Sequence, residues 1–177
     1  IERVLLLGEG NHFCAGGDVK SVHLSGPFSE LKRKFFSKEY ALNLQIKNFP
    51  KPYLSIWKGV VMGGGVGLSI YGDYRIATDS TKFAMPETSI GFFPDVGGSF
   101  FLAKLENNLG KYLGLTGEIV HGKDLLNFNL ATHYCPENKI NNLISQFIID
   151  GSITNYEIEN SSFFTDEKLD FIDKNFS

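Results

Sequence analysis

Three consecutive glycines, Gly63 to Gly65, constrain this chain more than any other feature. They follow an apolar run, Tyr53 to Lys58 (YLSIWK), and a turn at Gly59, and they open a short helix predicted over residues 64–72. The N–H groups at a helix start have no intrahelical acceptor, and glycines leave them uncovered, so they can meet a developing negative charge. The same stretch carries two acidic residues, Glu87 and Asp95, on either side of Gly91-Phe92-Phe93-Pro94. Two neighbouring carboxylates can move protons or attack a carbonyl. These are the parts of an acyl-transfer or enolate site.

Short strands alternate with helices along the rest of the chain. Arg3 to Gly8 (RVLLLG) reads as a buried strand and residues 8–18 (GEGNHFCAGGD) as a glycine-rich loop. Residues 28–48 read as an amphipathic helix with Leu31, Phe35, Tyr40 and Leu44 on its apolar face. Phe49-Pro50-Lys51-Pro52 stops it, since proline disfavours helix in the residue before it and supplies no N–H. Tyr74 to Thr78 and Lys82 to Ala84 are strands, residues 97–106 and 107–116 helices, 122–128 a helical turn or two, and Ala131 to Tyr134 a short strand. Pro136 precedes a helix over 137–149 with Ile140, Leu143, Ile144, Phe147 and Ile148 on one face. After Asp150 the chain turns polar, with one further helix at 165–175. The pattern predicts an α/β domain with its core in residues 1–150 and a polar tail over 151–177.

With 177 residues the chain can bury a substantial core as one domain. A net charge of −3 gives no reason to expect nucleic acid or an acidic membrane as partner. No apolar run approaches the roughly 18–20 residues of a membrane span, and a soluble protein is expected. Cys14 and Cys135 have neither metal nor disulfide spacing, so no metal site and a reducing compartment are expected. Phenylalanine occurs 16 times, and the pairs Phe35–Phe36, Phe92–Phe93, Phe100–Phe101 and Phe163–Phe164 exceed the needs of one core. Some of these rings are expected at an oligomer interface or on a surface that further chain would cover.

Four blocks share an order and spacing with a known family: FCAGGDVK at 13–20, the MGGGVGL run, FAMPETSIGFFPDVGG at 83–98 and LTGEIVHGKD at 115–124. They resemble the crotonase (enoyl-CoA hydratase/isomerase) superfamily, and within it the 3-hydroxyisobutyryl-CoA hydrolase branch. The likeness runs from Arg3 to about His133 and continues weakly through the tail. It implies a spiral of ββα units, an acyl-CoA thioester substrate, a trimer-based homo-oligomer and a mitochondrial setting, with no cofactor because coenzyme A is part of the substrate. Family members are longer, which implies a chain truncated at both ends: adenine-contacting strands before Ile1, capping and oligomer-forming helices after Ser177, and any targeting segment upstream. The activity implied is hydrolysis of a 3-hydroxyacyl-CoA, with 3-hydroxyisobutyryl-CoA of valine catabolism as the expected substrate. An isomerase or hydratase of the same family and a non-catalytic scaffold relative are the alternatives.

The resemblance also assigns roles. Gly17 and Gly64 become the paired backbone donors of an oxyanion hole, where fixed N–H groups stabilise charge on the thioester oxygen; glycines at both places also suit tight turns. Glu87, in Met85-Pro86-Glu87-Thr88, becomes the catalytic carboxylate that attacks the thioester or activates water. Asp95 stands where hydratases have glycine and the hydrolases aspartate. It would hold the substrate hydroxyl or protonate the leaving thiolate, and it reads equally as a cap for the helix at 97–106. Glu39 matches a substrate-contacting glutamate, although by itself it reads as a solvated helix charge. Gly67 departs from the hydratase pattern, which carries a second catalytic glutamate there, and so points to hydrolysis. His12, His121 and His133 lack a nucleophile or metal partner at a telling distance, Cys14 reads as packing, Arg75 as structural, and Lys20 as either a phosphate contact or a solvated charge. Gly8-Glu9-Gly10 lacks the spacing of a dinucleotide fingerprint.

Overall fold

The apolar runs predicted as strands are strands in the computed structural model, which describes residues 1–158 and 162–177. Among these residues the strands are β1 (Val4–Leu7), β2 (Tyr53–Trp57), β3 (Val60–Met62), β4 (Tyr74–Ala77), β5 (Lys82–Ala84), β6 (Val120–His121) and β7 (His133–Tyr134). One parallel sheet runs β1-β2-β4-β7, with Leu5 opposite Leu54 and Ile56 opposite Ile76. A second sheet runs β3-β5-β6, parallel between β3 and β5 and antiparallel between β5 and β6. The chain leaves β2 for β3 at Gly59 and β4 for β5 through Thr78–Thr81, where Lys82 N donates to Gly59 O at 2.8 Å. Each circuit therefore gives one strand to each sheet and then a helix, a spiral of ββα units.

All five residues of β2 are buried, as a central parallel strand covered on both faces requires. Successive side chains point to opposite faces. Leu54 and Ile56 meet Ile76, Cys135, Leu143 and Phe147 on one side, while Trp57 joins the larger core around Val61, Val66, Phe83 and Met85 on the other.

The helices are α1 (Val19–Leu24), α2 (Glu30–Lys47), α3 (Gly64–Gly67), α4 (Gly98–Leu102), α5 (Leu109–Thr116), α6 (Asp124–Asn127), α7 (Ile140–Asp150) and α8 (Asp166–Asn175). Several differ from the sequence prediction for physical reasons. Helix α3 is four residues, not nine, because Ser69 Oγ donates back to the carbonyls of Gly65 and Val66 and the chain then turns at Gly72. Helix α1 was not predicted; Asp18 caps it by accepting from Ser21 N at 3.0 Å. Strands β3 and β6 were not predicted either, because two or three residues are too few to show alternation. On α2 the residues predicted to form the apolar face are largely exposed, and Asn43 and Ile46 are the buried ones. The inward stripe runs one position round from the predicted face.

Residues beyond Asp150 are tied to the larger core. Phe164 and Ile172 are buried in it. The fully buried Asp124 carboxylate accepts from the backbone N–H of Phe163 at 2.7 Å and of Phe164 at 3.3 Å. Lys168 pairs with Glu118 at 2.6 Å. Among the described residues no helix is long and apolar enough to cross a membrane. The phenylalanine pairs divide: Phe101 and Phe164 are buried, while Phe93, Phe100 and Phe163 are exposed.

Truncating the side chain that anchors α8 tests this attachment. Ile172→Ala is expected to cost about 2–5 kcal/mol, read as a lowered denaturant midpoint; an unchanged midpoint would mean that α8 does not contribute to the folded unit.

Candidate active site

The site begins with two backbone segments held against each other. Cys14 N donates to Val60 O at 3.0 Å and Met62 N to Cys14 O at 3.0 Å, so residue 14 pairs with β3 as an extra strand residue. This brings the 15–17 loop beside the start of α3. A Cβ built on Gly64 would lie 3.3 Å from Gly17 N, and one built on Gly16 would lie 3.5 Å from Gly64 N. The two amides predicted as an oxyanion hole thus border one small space. Gly64 N, as the first residue of α3, has no intrahelical acceptor. Among the described residues no backbone carbonyl takes up Gly17 N. Gly63 turns the chain at φ 53° and ψ −124°, a conformation for glycine, and a Cβ there would sit 2.9 Å from Glu87 Oε1.

Three carboxylates converge on this point. Glu87 stands at the start of a 3₁₀ turn, Glu87–Ile90, just after β5. It is buried, and its Oε2 meets no protein donor among the described residues. Glu39 comes from α2, with Oε1 2.7 Å from the position of a Cβ on Gly64. Asp95 comes from the loop before α4 and accepts from Tyr40 Oη at 2.9 Å. It does not cap α4 with its side chain; Gly97 holds the cap position, and only the Asp95 carbonyl bonds Gly98 N, at 2.6 Å. The sequence-predicted residues Gly17, Glu39, Gly64, Glu87 and Asp95 line one cleft of about 380 Å³.

Burial raises the pKa of all three acids. For Glu39 burial is the first cause and the charges of Asp95 and Glu87 add to it, lifting the carboxyl to about 7. Burial and then Asp95 raise Glu87, against a backbone hydrogen bond that lowers it. Burial raises Asp95 while the Tyr40 hydroxyl opposes the rise. Three acids sharing one cleft compete to ionise, and such a cluster titrates as a unit. A larger cavity of about 890 Å³, between Tyr71, Arg75, Phe100 and Phe164, contains none of these groups. The smaller cleft is the candidate site, because free amides and perturbed acids meet there.

At Gly67 the structure leaves no room for a side chain. A Cβ there would lie 2.7 Å from Val96 Cβ and 2.9 Å from Asn43 Nδ2. Asn43 Nδ2 donates to Gly67 O at 3.0 Å. Val96 is buried at φ 43°, a strained conformation for a β-branched residue, and Tyr71 Oη donates to its carbonyl at 3.0 Å.

Sequence reasoning missed three sets of residues here: Tyr40 as the partner of Asp95, Asn43 and Val96 as the filling beside Gly67, and the rings of Phe35, Phe36 and Phe92 as walls of the cleft. Phe36 stacks on Phe92, with centroids 5.8 Å apart, and joins α2 to the loop bearing Asp95. Reading α2 from Glu39 in steps of three and four reaches Lys32, Phe35, Phe36, Asn43 and Ile46, the stripe that turns inward. Arg75 is structural, donating to the carbonyls of Gly72, Asn129 and Leu130. His12 accepts from Val60 N at 3.2 Å, a role in the β2–β3 corner. Cys14 and Cys135 are free thiols.

The Enoyl-CoA hydratase/isomerase family model matches residues 1–168. The mitochondrial 3-hydroxyisobutyryl-CoA hydrolase of Danio rerio is 46% identical over 142 residues, covering 79% of this chain and 37% of that protein. The 3-hydroxyisobutyryl-CoA hydrolase 1 of Arabidopsis thaliana is also 46% identical over 142 residues, covering 79% of this chain and 38% of its own length. The chain spans less than two-fifths of the length of these curated relatives, 37% and 38%. A crystal structure of an enoyl-CoA hydratase from Rhodobacter sphaeroides superposes with a TM-score of 0.92 at 34% identity, over 100% of this chain and 53% of that one. The spiral of ββα units is therefore the crotonase fold.

Two substitutions test the site. Tyr40→Phe removes the hydrogen bond that favours ionised Asp95, so the Asp95 carboxyl is expected to titrate at higher pH by carbon-13 NMR; an unmoved titration would deny the hydroxyl that hold. Gly67→Ala is expected to destabilise by about 1–3 kcal/mol through overpacking, outweighing its gain of up to about 1 kcal/mol in helix propensity. A stabilised Gly67→Ala protein in urea unfolding would show that Val96 and Asn43 yield freely.

Proposed function

This chain belongs to the enoyl-CoA hydratase/isomerase family, and from that premise we propose that it hydrolyses a 3-hydroxyacyl-CoA thioester, with 3-hydroxyisobutyryl-CoA as substrate. One observation carries the choice of reaction: Val96 and Asn43 fill the space beside Gly67, where a hydratase of this family would need its second carboxylate. The relatives named 3-hydroxyisobutyryl-CoA hydrolase support the same choice.

The residues divide the work as follows. Gly17 and Gly64 N–H groups bind the thioester oxygen and gain strength as it becomes an oxyanion. Glu87 takes a proton from water while the water oxygen bonds to the carbonyl carbon. The tetrahedral oxyanion then collapses, the carbon–sulfur bond breaks, and the coenzyme A thiolate takes the proton that Glu87 carries. Water and thioester become acid and thiol. Asp95, whose ionised form the Tyr40 hydroxyl favours against the effect of burial, accepts from the substrate 3-hydroxyl and fixes the acyl group. No cofactor enters, since coenzyme A is part of the substrate. The setting that fits this reading is the mitochondrion, as for the zebrafish relative. A trimer-based homo-oligomer, as the family resemblance implies, would offer cover for the exposed Phe93, Phe100 and Phe163.

A second reading, hydration of an enoyl-CoA, is favoured by the superposition on the bacterial enoyl-CoA hydratase. Free thiol measured from 3-hydroxyisobutyryl-CoA, against loss of the enoyl chromophore from crotonyl-CoA, separates the two. Thiol release is expected, with Glu87→Gln lowering kcat by at least about 10²-fold and leaving KM nearly unchanged. Consumption of crotonyl-CoA without thiol release would overturn the hydrolase.

A further inference from the structure

Glu39 stands in an unexpected place for an anion. Its Oε1 lies 2.7 Å from the point where a Cβ on Gly64 would be, and Gly17 N lies 3.3 Å from that same point. The carboxyl therefore sits at the edge of the space bounded by the two oxyanion-hole amides. An ionised carboxylate there would repel the oxygen on which negative charge develops. A protonated one would present an O–H to it. We infer that Glu39 acts as a carboxylic acid and supplies a third hydrogen bond to the thioester oxyanion, beside Gly17 and Gly64. The inference rests on the thioester reading above and adds a residue to its oxyanion hole.

The surroundings favour the acid form. Glu87 and Asp95 face Glu39 from the loop that follows β5, and both are acidic. From α2 come Tyr40, whose hydroxyl is committed to Asp95, and Lys32; from α1 comes His23. Among the described residues no ion pair reaches Glu39, whether from Lys32, from His23 or from any other cation. Burial and the two neighbouring carboxylates lift its carboxyl to about 7, so the proton is retained where an ordinary glutamate has lost it. The sign of the pH effect follows. As pH rises through that value, a donor becomes a repelling charge, and transition-state stabilisation falls on the alkaline side. Glu39 keeps its proton through the reaction: it donates a hydrogen bond only, and the proton that reaches the thiolate is the one Glu87 removed from water.

An amide can imitate the acid as a donor and cannot ionise, which makes Glu39→Gln the discriminating variant. Glu39→Ala is expected to lose about 10²-fold in kcat, the usual cost of one oxyanion-hole donor. Glu39→Gln is expected to keep at least ten times the activity of Glu39→Ala and to lose the alkaline limb of kcat/KM. His23→Gln should retain that limb. A readout independent of turnover is the infrared carbonyl band of an acyl-CoA ketone analogue, with methylene in place of sulfur. In the native chain its red shift should shrink between about pH 5.5 and about pH 8.5, on either side of the carboxyl's value of about 7; in Glu39→Gln it should not change. Equal impairment of Gln and Ala variants, or a pH-independent band in the native chain, overturns the inference. If the chain releases no thiol, the proposed function fails while the ketone band still decides the role of Glu39. If the ketone does not bind, the free proteins decide it: a protonated-carboxyl band near about pH 6 that Glu39→Gln abolishes supports the inference, and its absence refutes it.

Discussion

Two hydrogen bonds between Cys14 and strand β3, one to Val60 O and one from Met62 N, set the distance on which the whole site depends. They tie the residue that precedes the 15–17 glycine loop to the second sheet, so backbone pairing brings Gly17 beside Gly64. Gly65 shows how little slack remains, since a Cβ there would fall 2.2 Å from Cys14 O. Donors fixed in this way need no reorganisation as charge develops, which is the condition under which an oxyanion hole is effective. The two-sheet spiral serves this contact: β2 leads to β3, β3 to the amide of Gly64, and β5 to Glu87.

Opposing that order is the charge gathered around it. Glu39, Glu87 and Asp95 share a cleft with no cation paired to any of them among the described residues. Each is held above its ordinary pKa, so each ionises less readily in the folded chain than in the unfolded one. The folded state therefore loses stability as pH rises through those raised values. The loop bearing Asp95 and helix α2 stay together by other means, through the Phe36–Phe92 stack and the Tyr40 hydroxyl. Two adjacent residues of α2 thus do different work: Glu39 faces the amides, and Tyr40 holds a second acid in place.

Much of this was legible in the sequence because the informative features are local. Glycine runs, a proline before Glu87 and the apolar strands YLSIWK and YRIAT specify conformation within a few residues, and the family blocks attach roles to Gly17, Glu39, Gly64, Glu87 and Asp95. The failures lie where tertiary contacts decide. On α2 the exposed Leu31 and Leu44 outweighed Asn43 in a reading by hydrophobicity, although Asn43 is buried and bonded to Gly67 O. The pairing of Tyr40 with Asp95 spans 55 residues and carries no local mark. The composition of the last 27 residues, 151–177, is polar, but Phe164 and Ile172 are enough to seat them on the core once Asp124 has bound the backbone of Phe163 and Phe164.

The packing beside Gly67 also bears on how such a site changes over evolutionary time. A glutamate at position 67 meets Val96 and Asn43 before it reaches the cleft. The single substitution that would supply a second carboxylate therefore arrives first as an overpacked intermediate, at a cost of about 1–3 kcal/mol against a total stability of roughly 5–15 kcal/mol. A smaller residue at position 96 or 43 would relieve that crowding. The effect of a carboxylate at position 67 is therefore coupled to what stands at 96 and 43, and the change spends stability before it adds an acid to the cleft.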